Sequence, residues 1–220
     1  MRLLAPLPDA GKIVGAAFNY HDGLTASGRS APDAPVTFVK SRNTIVGPNE
    51  PITIHDGHDI TYEAELAVVI GKPVLNCSRD EAMAHVCGYT LINDVSYTNL
   101  VRQDGNFVRG KNQPSSGPLG PWLVSADDVA DPHNLEISLS VDGKKLQSSS
   151  TNQMLFRIDA LIAHVSSLMP LDAGDVIASG TPAGVAANHT PPAWLHPGQC
   201  VTMQIPGFGQ LENPVRRIST

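Results

Sequence analysis

The chain has 220 residues, a length that suits one domain with its own hydrophobic core, and we expect residues 1–220 to form one domain with a short N-terminal segment at about residues 1–12. Its formal net charge of −6 excludes a broad basic face, so nucleic-acid binding is not expected. No apolar run reaches the roughly 18 residues of a membrane span, and prolines interrupt any signal-peptide core, so we expect a cytoplasmic protein without membrane contact. The three cysteines include no C-x-x-C pair, which argues against a zinc-thiolate site.

Short strands separated by turns are predicted along most of the chain. The alternation of apolar and polar residues, or a short continuous apolar run, predicts strands over residues 36–39, 65–70, 135–141, 175–179 and 201–205. A hairpin turn is predicted at Asp142-Gly143, a pair that tolerates positive φ.

A first helix is predicted after Ser78. Ser78 and Glu81 have the spacing of a capping box, apolar residues follow at helical spacing, and Gly88 is placed as a C-terminal stop. Cys87 lies among these apolar residues and is therefore expected in the core.

A second, longer helix is predicted over residues 154–168, with a cap within residues 150–153 and Pro170 just past its end. Many strands and only two substantial helices, without regular strand–helix alternation, indicate an α+β fold dominated by strands.

Two carboxylates, Glu63 and Glu65, stand at i and i+2 directly before a buried strand, so in an extended chain they point to the same side. Asp94 ends another apolar run. Converging carboxylates need a cation, and oxygen-only ligands suit Mg²⁺, Mn²⁺ or Ca²⁺. The alternative is that Glu63 and Glu65 lie on the solvent face of an edge strand.

Two further features accompany the acids. Lys111 stands beside a stiff loop rich in glycine and proline, and residues 180–185 form a glycine-flanked Thr-Pro loop that can bring backbone amides and a hydroxyl to an anion. The alternative is that these features have no functional role. A single lysine is more often solvated, and a loop of this kind is more often a plain turn.

Together these segments resemble the fumarylacetoacetate hydrolase family. The resemblance runs from about residue 13 to residue 215 and rests on motifs that occur in the family's order, at residues 62–72, 88–96, 110–122 and 174–185. Residues 62–71 and 131–135 are similar to the 5-carboxymethyl-2-hydroxymuconate isomerase/decarboxylase branch, which would imply a role in aromatic catabolism.

The resemblance implies a β-roll of mixed sheets, a homodimer, and a Mg²⁺ or Mn²⁺ ion on the three acids. It also implies that Lys111 contacts a bound 2-oxo acid and that Thr181, with Gly180 and Tyr20, binds substrate. The metal would then chelate the 2-oxo group and the carboxylate and stabilise an enolate.

The chain departs from the family's hydrolases where those enzymes carry a His/Glu pair that activates water. Gly23 and Ala26 occupy these two places, and His21 lies two residues away from the expected histidine. Either His21 substitutes as the catalytic base or the base is absent. We expect residues 19–34 to form a mobile loop that closes over the site when an oxo acid binds.

A second departure follows the third acid. The family often has Arg and Gln where this chain has Thr98 and Val101, and Arg102 and Gln103 could compensate only if the loop is reshaped.

The residues therefore favour a metal-dependent enzyme that isomerises, tautomerises or decarboxylates a small 2-oxo acid. The first alternative is hydrolytic C–C cleavage of an acylpyruvate or fumarylpyruvate type of β-diketo acid, with His21 as the base. The second alternative is a binding protein on the same fold that has lost catalysis.

Overall fold

A computed structural model describes residues 3–218, and strands dominate it. The larger mixed sheet contains, in spatial order, Val36–Lys40 (β2), Ile13–Ala17 (β1), Val176–Ala178 (β12), Ala64–Ile70 (β6), Val86–Asn93 (β7), Gly117–Ser125 (β9) and Ile45–Val46 (β3). The second sheet contains Lys144–Ser150 (β11), Glu136–Val141 (β10), Cys200–Ile205 (β13), Gly209–Arg217 (β14) and Ile52–Ile54 (β4). Ile60–Thr61 (β5) and Ser96–Tyr97 (β8) pair separately.

The α-helices are short and few, which confirms the predicted α+β class. They are His21–Ser27 (α1), Arg79–Ala82 (α2), Thr98–Asp104 (α3), Val108–Lys111 (α4) and Ile158–Leu168 (α5). Single 3₁₀ turns occur at Arg42–Thr44, Met83–His85, Ala126–Asp128, Thr151–Gln153 and Ala186–Asn188.

The central strand β6 is buried on both faces, which explains its continuous apolar sequence. Leu66 and Val68 belong to the main core together with residues of α5, whereas Ala67 and Val69 belong to a second cluster beneath the other face. The predicted strands at 36–39, 65–70, 135–141, 175–179 and 201–205 are all present, and no end is shifted by more than one residue. The hairpin turn is also confirmed, since Asp142 and Gly143 have φ values of 50° and 77°.

The predicted helix after Ser78 is largely wrong. The capping box of Ser78 and Glu81 forms, but α2 ends at Ala82 and a 3₁₀ turn leads into β7. Gly88 lies within β7 and does not stop a helix, and Cys87 is exposed, not buried in the core. Strand β7 pairs with β6 on one side and β9 on the other, and these two ladders of hydrogen bonds outweigh the local helical preference.

The second helix begins later than predicted. Residues before Ile158 form a 3₁₀ turn and an extended stretch in which Met154 bridges to Tyr20. The apolar stripe is confirmed only within α5, where Ile158, Leu161 and Val165 are buried. The backbone N–H of Ile158 donates to His133 Nε2 at 3.0 Å, so a side chain from a distant loop sets the start of the helix.

The described residues 3–218 contain no helix that is both long and apolar enough to cross a membrane. Cys77, Cys87 and Cys200 are all free thiols.

Candidate active site

The pairing of β6 with β7 brings the three acids together. The strands are antiparallel with Ala64 opposite Asn93, so the start of β6 lies beside the end of β7. The backbone N–H of Asp94 donates to the Glu63 carbonyl at 3.0 Å. One carboxylate oxygen from each of Glu63, Glu65 and Asp94 lies within 4.8 Å of the others. The three acids therefore converge as the sequence predicts. The alternative, in which Glu63 and Glu65 lie on the solvent face of an edge strand, is wrong.

Lys111 lies among the acids. Its Nζ atom is 2.6 Å from Asp94 Oδ2 and 2.8 Å from Glu63 Oε2. Helix α4 reaches this position because Gly110 packs tightly against α3. A Cβ at Gly110 would be 2.4 Å from Val101 Cγ2, so only glycine allows this contact. Lys111 is buried, unlike the solvated lysine of the alternative interpretation.

A second lysine, Lys40, was missed by the sequence analysis. It ends β2 with only 1% of its surface exposed, and its Nζ atom lies 2.9 Å from Asp94 Oδ1 and 3.0 Å from Ser116 Oγ. It also donates to the Lys111 carbonyl, which ties the two lysines together. A lysine at the end of a strand is usually solvated, so nothing in the sequence marks this one as buried.

Two buried carboxylates, Glu65 and Asp94, and the half-buried Glu63 here face two ammonium groups. Burial raises the pKa of Glu63, and burial together with Asp94 and Glu63 raises the pKa of Glu65 well above its ordinary value. Burial also opposes ionisation of Asp94, but Lys111 and Lys40 outweigh it and lower the pKa of Asp94.

The acids fit a divalent cation. The donors are all carboxylate oxygens, the set that Mg²⁺ and Mn²⁺ prefer. Burial and the carboxylates of Asp94 and Glu63 disfavour the charge of Glu65, and Lys111 and the Gly180 N–H only partly offset this. A divalent ion would supply further positive charge.

The Thr-Pro loop meets the acids because β12 runs antiparallel to β6. The backbone N–H of Gly180 donates to Glu65 Oε2 at 2.8 Å. Gly180 has φ of 96°, and a Cβ there would lie 2.8 Å from Asn19 Cβ, so both conformation and space require glycine. Thr181 follows and lines the neighbouring cavity.

Gln147 orients the Thr181 hydroxyl and was also missed from the sequence. This buried side chain accepts from the backbone N–H of Ala64 through Oε1 at 2.9 Å. Its Nε2 atom donates to Thr181 Oγ1 at 2.9 Å and to the Pro182 carbonyl at 3.1 Å. Because Oγ1 accepts from Gln147, the Thr181 hydroxyl proton remains available to donate elsewhere.

A cavity of about 510 Å³ lies beside these groups. Glu63, Lys111 and Thr181 contribute to it, and so does Tyr20, whose pKa is raised mainly by burial. Of the predicted substrate-binding residues, Tyr20 and Thr181 border this cavity together with Lys111, whereas Gly180 is not among the described residues that line it.

The cavity and the converging acids can be compared with known proteins. The family model described as Fumarylacetoacetate (FAA) hydrolase C-terminal matches residues 12–216. The chain belongs to the fumarylacetoacetate hydrolase family.

Relatives in this family include enzymes of several named activities. Oxaloacetate tautomerase fahd2, mitochondrial, of Xenopus laevis is 41% identical over 216 residues, which cover 97% of this chain and 68% of that protein. The structure of 5-carboxymethyl-2-hydroxymuconate delta-isomerase from Mycobacterium smegmatis has a TM-score of 0.88 and 37% identity, covering 100% of this chain and 83% of that one. Fumarylacetoacetate hydrolase from psychrophilic Exiguobacterium antarcticum has a TM-score of 0.89 and 37% identity, covering 99% and 79%. The protein is accordingly an enzyme of the fumarylacetoacetate hydrolase family.

The segment expected to be a mobile loop over residues 19–34 contains an ordered helix. Asn19 anchors its start by bonding to the backbone of Phe156 and to the Ser179 carbonyl. Leu24 buries one face of α1, and Gly28 ends it with φ of 64° in a Schellman arrangement. Of the small residues that suggested a loop, Thr25, Ala26 and Ser27 are exposed on α1, whereas Gly23 is half-buried.

His21 begins α1 with an exposed side chain. Among the described residues 3–218, His21 is not one of those that line the cavity. Gly23, which replaces the family's histidine, does line the cavity, whereas Ala26 is exposed and does not. The catalytic role of His21 stays a prediction, and its position does not favour it.

The second family departure also borders the cavity. Thr98 and Val101 line it, and so does Arg102. Arg102 is bound to Asp59 at 2.5 Å, and Gln103 accepts a hydrogen bond from Arg109. Gln103 therefore does not replace the missing glutamine, and Arg102 already has a carboxylate partner.

Proposed function

We propose that the protein is a divalent-metal-dependent tautomerase or isomerase of a small 2-oxo acid, with decarboxylation as a related outcome of the same chemistry. The observation that carries this proposal is the placement of Lys111 against Glu63 and Asp94 at a cavity. These are the parts that stabilise a developing enolate, whereas Gly23 and Ala26 stand where hydrolases activate water.

Glu63, Glu65 and Asp94 would hold the Mg²⁺ or Mn²⁺ ion. When bound, this ion supplies Lewis-acid polarisation of the 2-oxo group and charge neutralisation of the acid. The chain's own residues then complete the binding of substrate.

Lys111 provides a fixed positive charge. Burial would lower its pKa, but Asp94 and Glu63 raise the pKa above its ordinary value, which favours the ammonium form. Its ammonium favours the negative charge that develops on the C2 oxygen of the substrate.

Thr181 and Gly180 would bind the substrate carboxylate. Gln147 leaves the Thr181 hydroxyl proton free to donate, and Thr181 lines the cavity that Lys111 also borders. Tyr20 adds a second hydroxyl-bearing wall residue.

Tautomerisation needs no water as reactant. A C3–H bond breaks, its electron pair forms the C2–C3 double bond, and the C2=O π pair moves onto the oxygen. Solvent water takes up the proton released at C3 and returns one to the C2 oxygen, so no water is consumed. In decarboxylation the C–C bond to a leaving carboxylate supplies that electron pair, CO₂ departs, and C3 later takes up a proton. Neither step needs a His/Glu pair.

The names of the relatives support this choice. An oxaloacetate tautomerase and a 5-carboxymethyl-2-hydroxymuconate delta-isomerase are both similar to this chain over nearly all of its length. The retention of all three acids with Lys111 in one place weighs against a protein that only binds.

A panel assay with Mg²⁺ tests the proposal. Oxaloacetate, acetylpyruvate and a 2-hydroxymuconate-type dienoate are followed by enol absorbance and by product analysis. We expect changes in enol or dienol absorbance without hydrolysis. Release of acetate and pyruvate from acetylpyruvate would instead show hydrolytic cleavage and contradict the proposal.

Homodimer formation is a further part of the proposed function and rests on family resemblance. Size-exclusion chromatography with light scattering should give twice the chain mass at micromolar concentration. A monomer would contradict it. The cytoplasmic location also stays a prediction.

A further inference from the structure

Three phenylalanines form one wall of the cavity. The rings of Phe38 and Phe107 lie 5.0 Å apart between centroids, and those of Phe107 and Phe18 lie 6.4 Å apart. Lys111 Nζ lies 4.9 Å from the centroid of Phe38. This phenylalanine wall, Phe18, Phe38 and Phe107, therefore begins at the lysine and ends at Phe18, which is 39% exposed.

Other segments add more apolar surface. Leu24 of α1, Val101 of α3, and Val185 and Trp194 from the chain after β12 all line the same cavity. Val101 presents methyl groups where the family often carries a glutamine amide. Such a set of side chains binds apolar atoms and offers few partners to a polar group.

The charged groups that line the cavity already have partners. Within residues 3–218 there are four of them, and Glu63 and Lys111 pair with each other in the acid cluster. Arg102 is paired with Asp59, and the Arg29 guanidinium lies 4.7 Å from the centroid of the Phe18 ring. The phenylalanine wall therefore offers apolar surface in a cavity whose charges are already engaged.

We propose that the substrate is a 2-oxo acid with a bulky apolar group, aryl or branched alkyl, beyond C3. This inference rests on the proposed function, which places the 2-oxo acid head at Lys111 and Thr181. The apolar group then lies against the phenylalanine wall, and its burial supplies the preference over small or doubly charged 2-oxo acids.

The test compares tautomerisation rates of phenylpyruvate, 4-methyl-2-oxopentanoate, pyruvate and oxaloacetate with Mg²⁺. We expect kcat/KM for phenylpyruvate to exceed that for pyruvate by about 10-fold or more, the usual effect of burying several apolar carbons. In Phe107→Ala this ratio should fall by about 10-fold. Val108→Ala is the matched control, because Val108 is the next residue but is exposed and lies outside the cavity lining.

Different failures have different meanings. Turnover of pyruvate or oxaloacetate without turnover of phenylpyruvate overturns this inference and leaves the proposed function standing. An unchanged phenylpyruvate-to-pyruvate ratio in Phe107→Ala also overturns it. A preference for oxaloacetate that disappears in Arg29→Ala would assign the outer end of the cavity to a second carboxylate instead. If none of the four acids reacts, this inference fails, and the proposed function fails with it only if acetylpyruvate and the dienoate of the panel assay are also unchanged.

Discussion

The ammonium of Lys111 lies 2.6 Å from the carboxylate of Asp94, inside the group of acids that would bind a metal ion. The same ammonium is 2.8 Å from Glu63, so one cation serves two carboxylates. A substrate that binds beside Lys111 is close to a positive charge that Glu63 and Asp94 hold in a fixed position. Lys111 should therefore matter more for turnover than His21, which is exposed at the start of α1.

We expect Lys111→Met to lower kcat/KM by about 10²–10³-fold, the usual cost of removing a preorganised charge-stabilising donor. His21→Ala should cause only a mild loss. Circular dichroism shows whether Lys111→Met remains folded, since it also leaves Glu63 and Asp94 without their shared cation. Equal losses in the two variants would contradict this ranking.

Glu65→Gln should abolish the stabilisation of the fold by Mg²⁺ without lowering the melting temperature of the metal-free protein. The amide oxygen can still accept from the Gly180 N–H, and the neutral side chain removes repulsion with Asp94 and Glu63. The melting temperature in chelator should therefore be equal to or higher than that of the wild type. The increase that Mg²⁺ causes in the wild type should disappear, because one ligand charge is lost.

The control for this experiment is Glu136→Gln on the exposed start of β10. It should keep the full Mg²⁺-dependent increase in melting temperature. An unchanged Mg²⁺ effect in Glu65→Gln would show that the cation binds elsewhere.

Gln147→Glu should weaken substrate binding through Thr181. A carboxylate at this position accepts from the Thr181 hydroxyl, so the proton no longer faces the cavity. We expect KM for the oxo acid to rise by about 10-fold, with a smaller change in kcat. In a Thr181→Val background the same substitution should add little, which a double-mutant cycle measures.

Gln210→Glu is the control for added charge, because Gln210 is exposed on β14. It should leave KM unchanged. Full additivity of Gln147→Glu and Thr181→Val would show that Gln147 does not act through the hydroxyl.

His133 should make stability dependent on pH. Burial and the neighbouring Arg157 lower the pKa of His133 below its ordinary 6.5, although Asp131 and Asp159 oppose this change. The unfolded chain thus binds a proton that the folded chain rejects. The contribution of His133 is complete above about pH 6.5 and is lost as the pH falls below that value, because protonated Nε2 cannot accept from Ile158.

His133→Gln provides the comparison, since its amide can accept a hydrogen bond but does not titrate. The melting temperature of the wild type should fall more than that of His133→Gln between pH 7.5 and pH 5.5. His133→Ala should lose about 1 kcal/mol at pH 7.5, a typical value for a bond to a helix N-terminus. Parallel pH curves for wild type and His133→Gln would contradict this role.

The sequence could predict the acid cluster because its causes are local. Glu63 and Glu65 are two residues apart at the start of β6, and Asp94 directly follows β7, the strand that pairs with β6. It could not predict Lys40 or Gln147. Their partners are far away in the chain, and burial of either side chain depends on how several strands assemble.

The helix boundaries also differ in whether neighbouring residues or tertiary contacts determine them. The capping box at Ser78 depends on four neighbouring residues and forms as predicted. The end of that helix depends on β6 and β9. Both strands form hydrogen bonds with β7, so the residues from Val86 onward are extended and not helical. Helix α1 was missed because its small residues suggested a loop, whereas Leu24 and the anchor at Asn19 stabilise a helix through tertiary contacts.

The most direct test is the rate at which the enol form of a 2-oxo acid converts to the keto form, followed by ultraviolet absorbance. Phenylpyruvate and oxaloacetate are both used, each with wild type and Glu65→Gln, in Mg²⁺ and in chelator. We expect acceleration above the uncatalysed rate only for the wild type with Mg²⁺, and no cleavage products. Equal acceleration by Glu65→Gln, or by the wild type in chelator, would contradict this expectation.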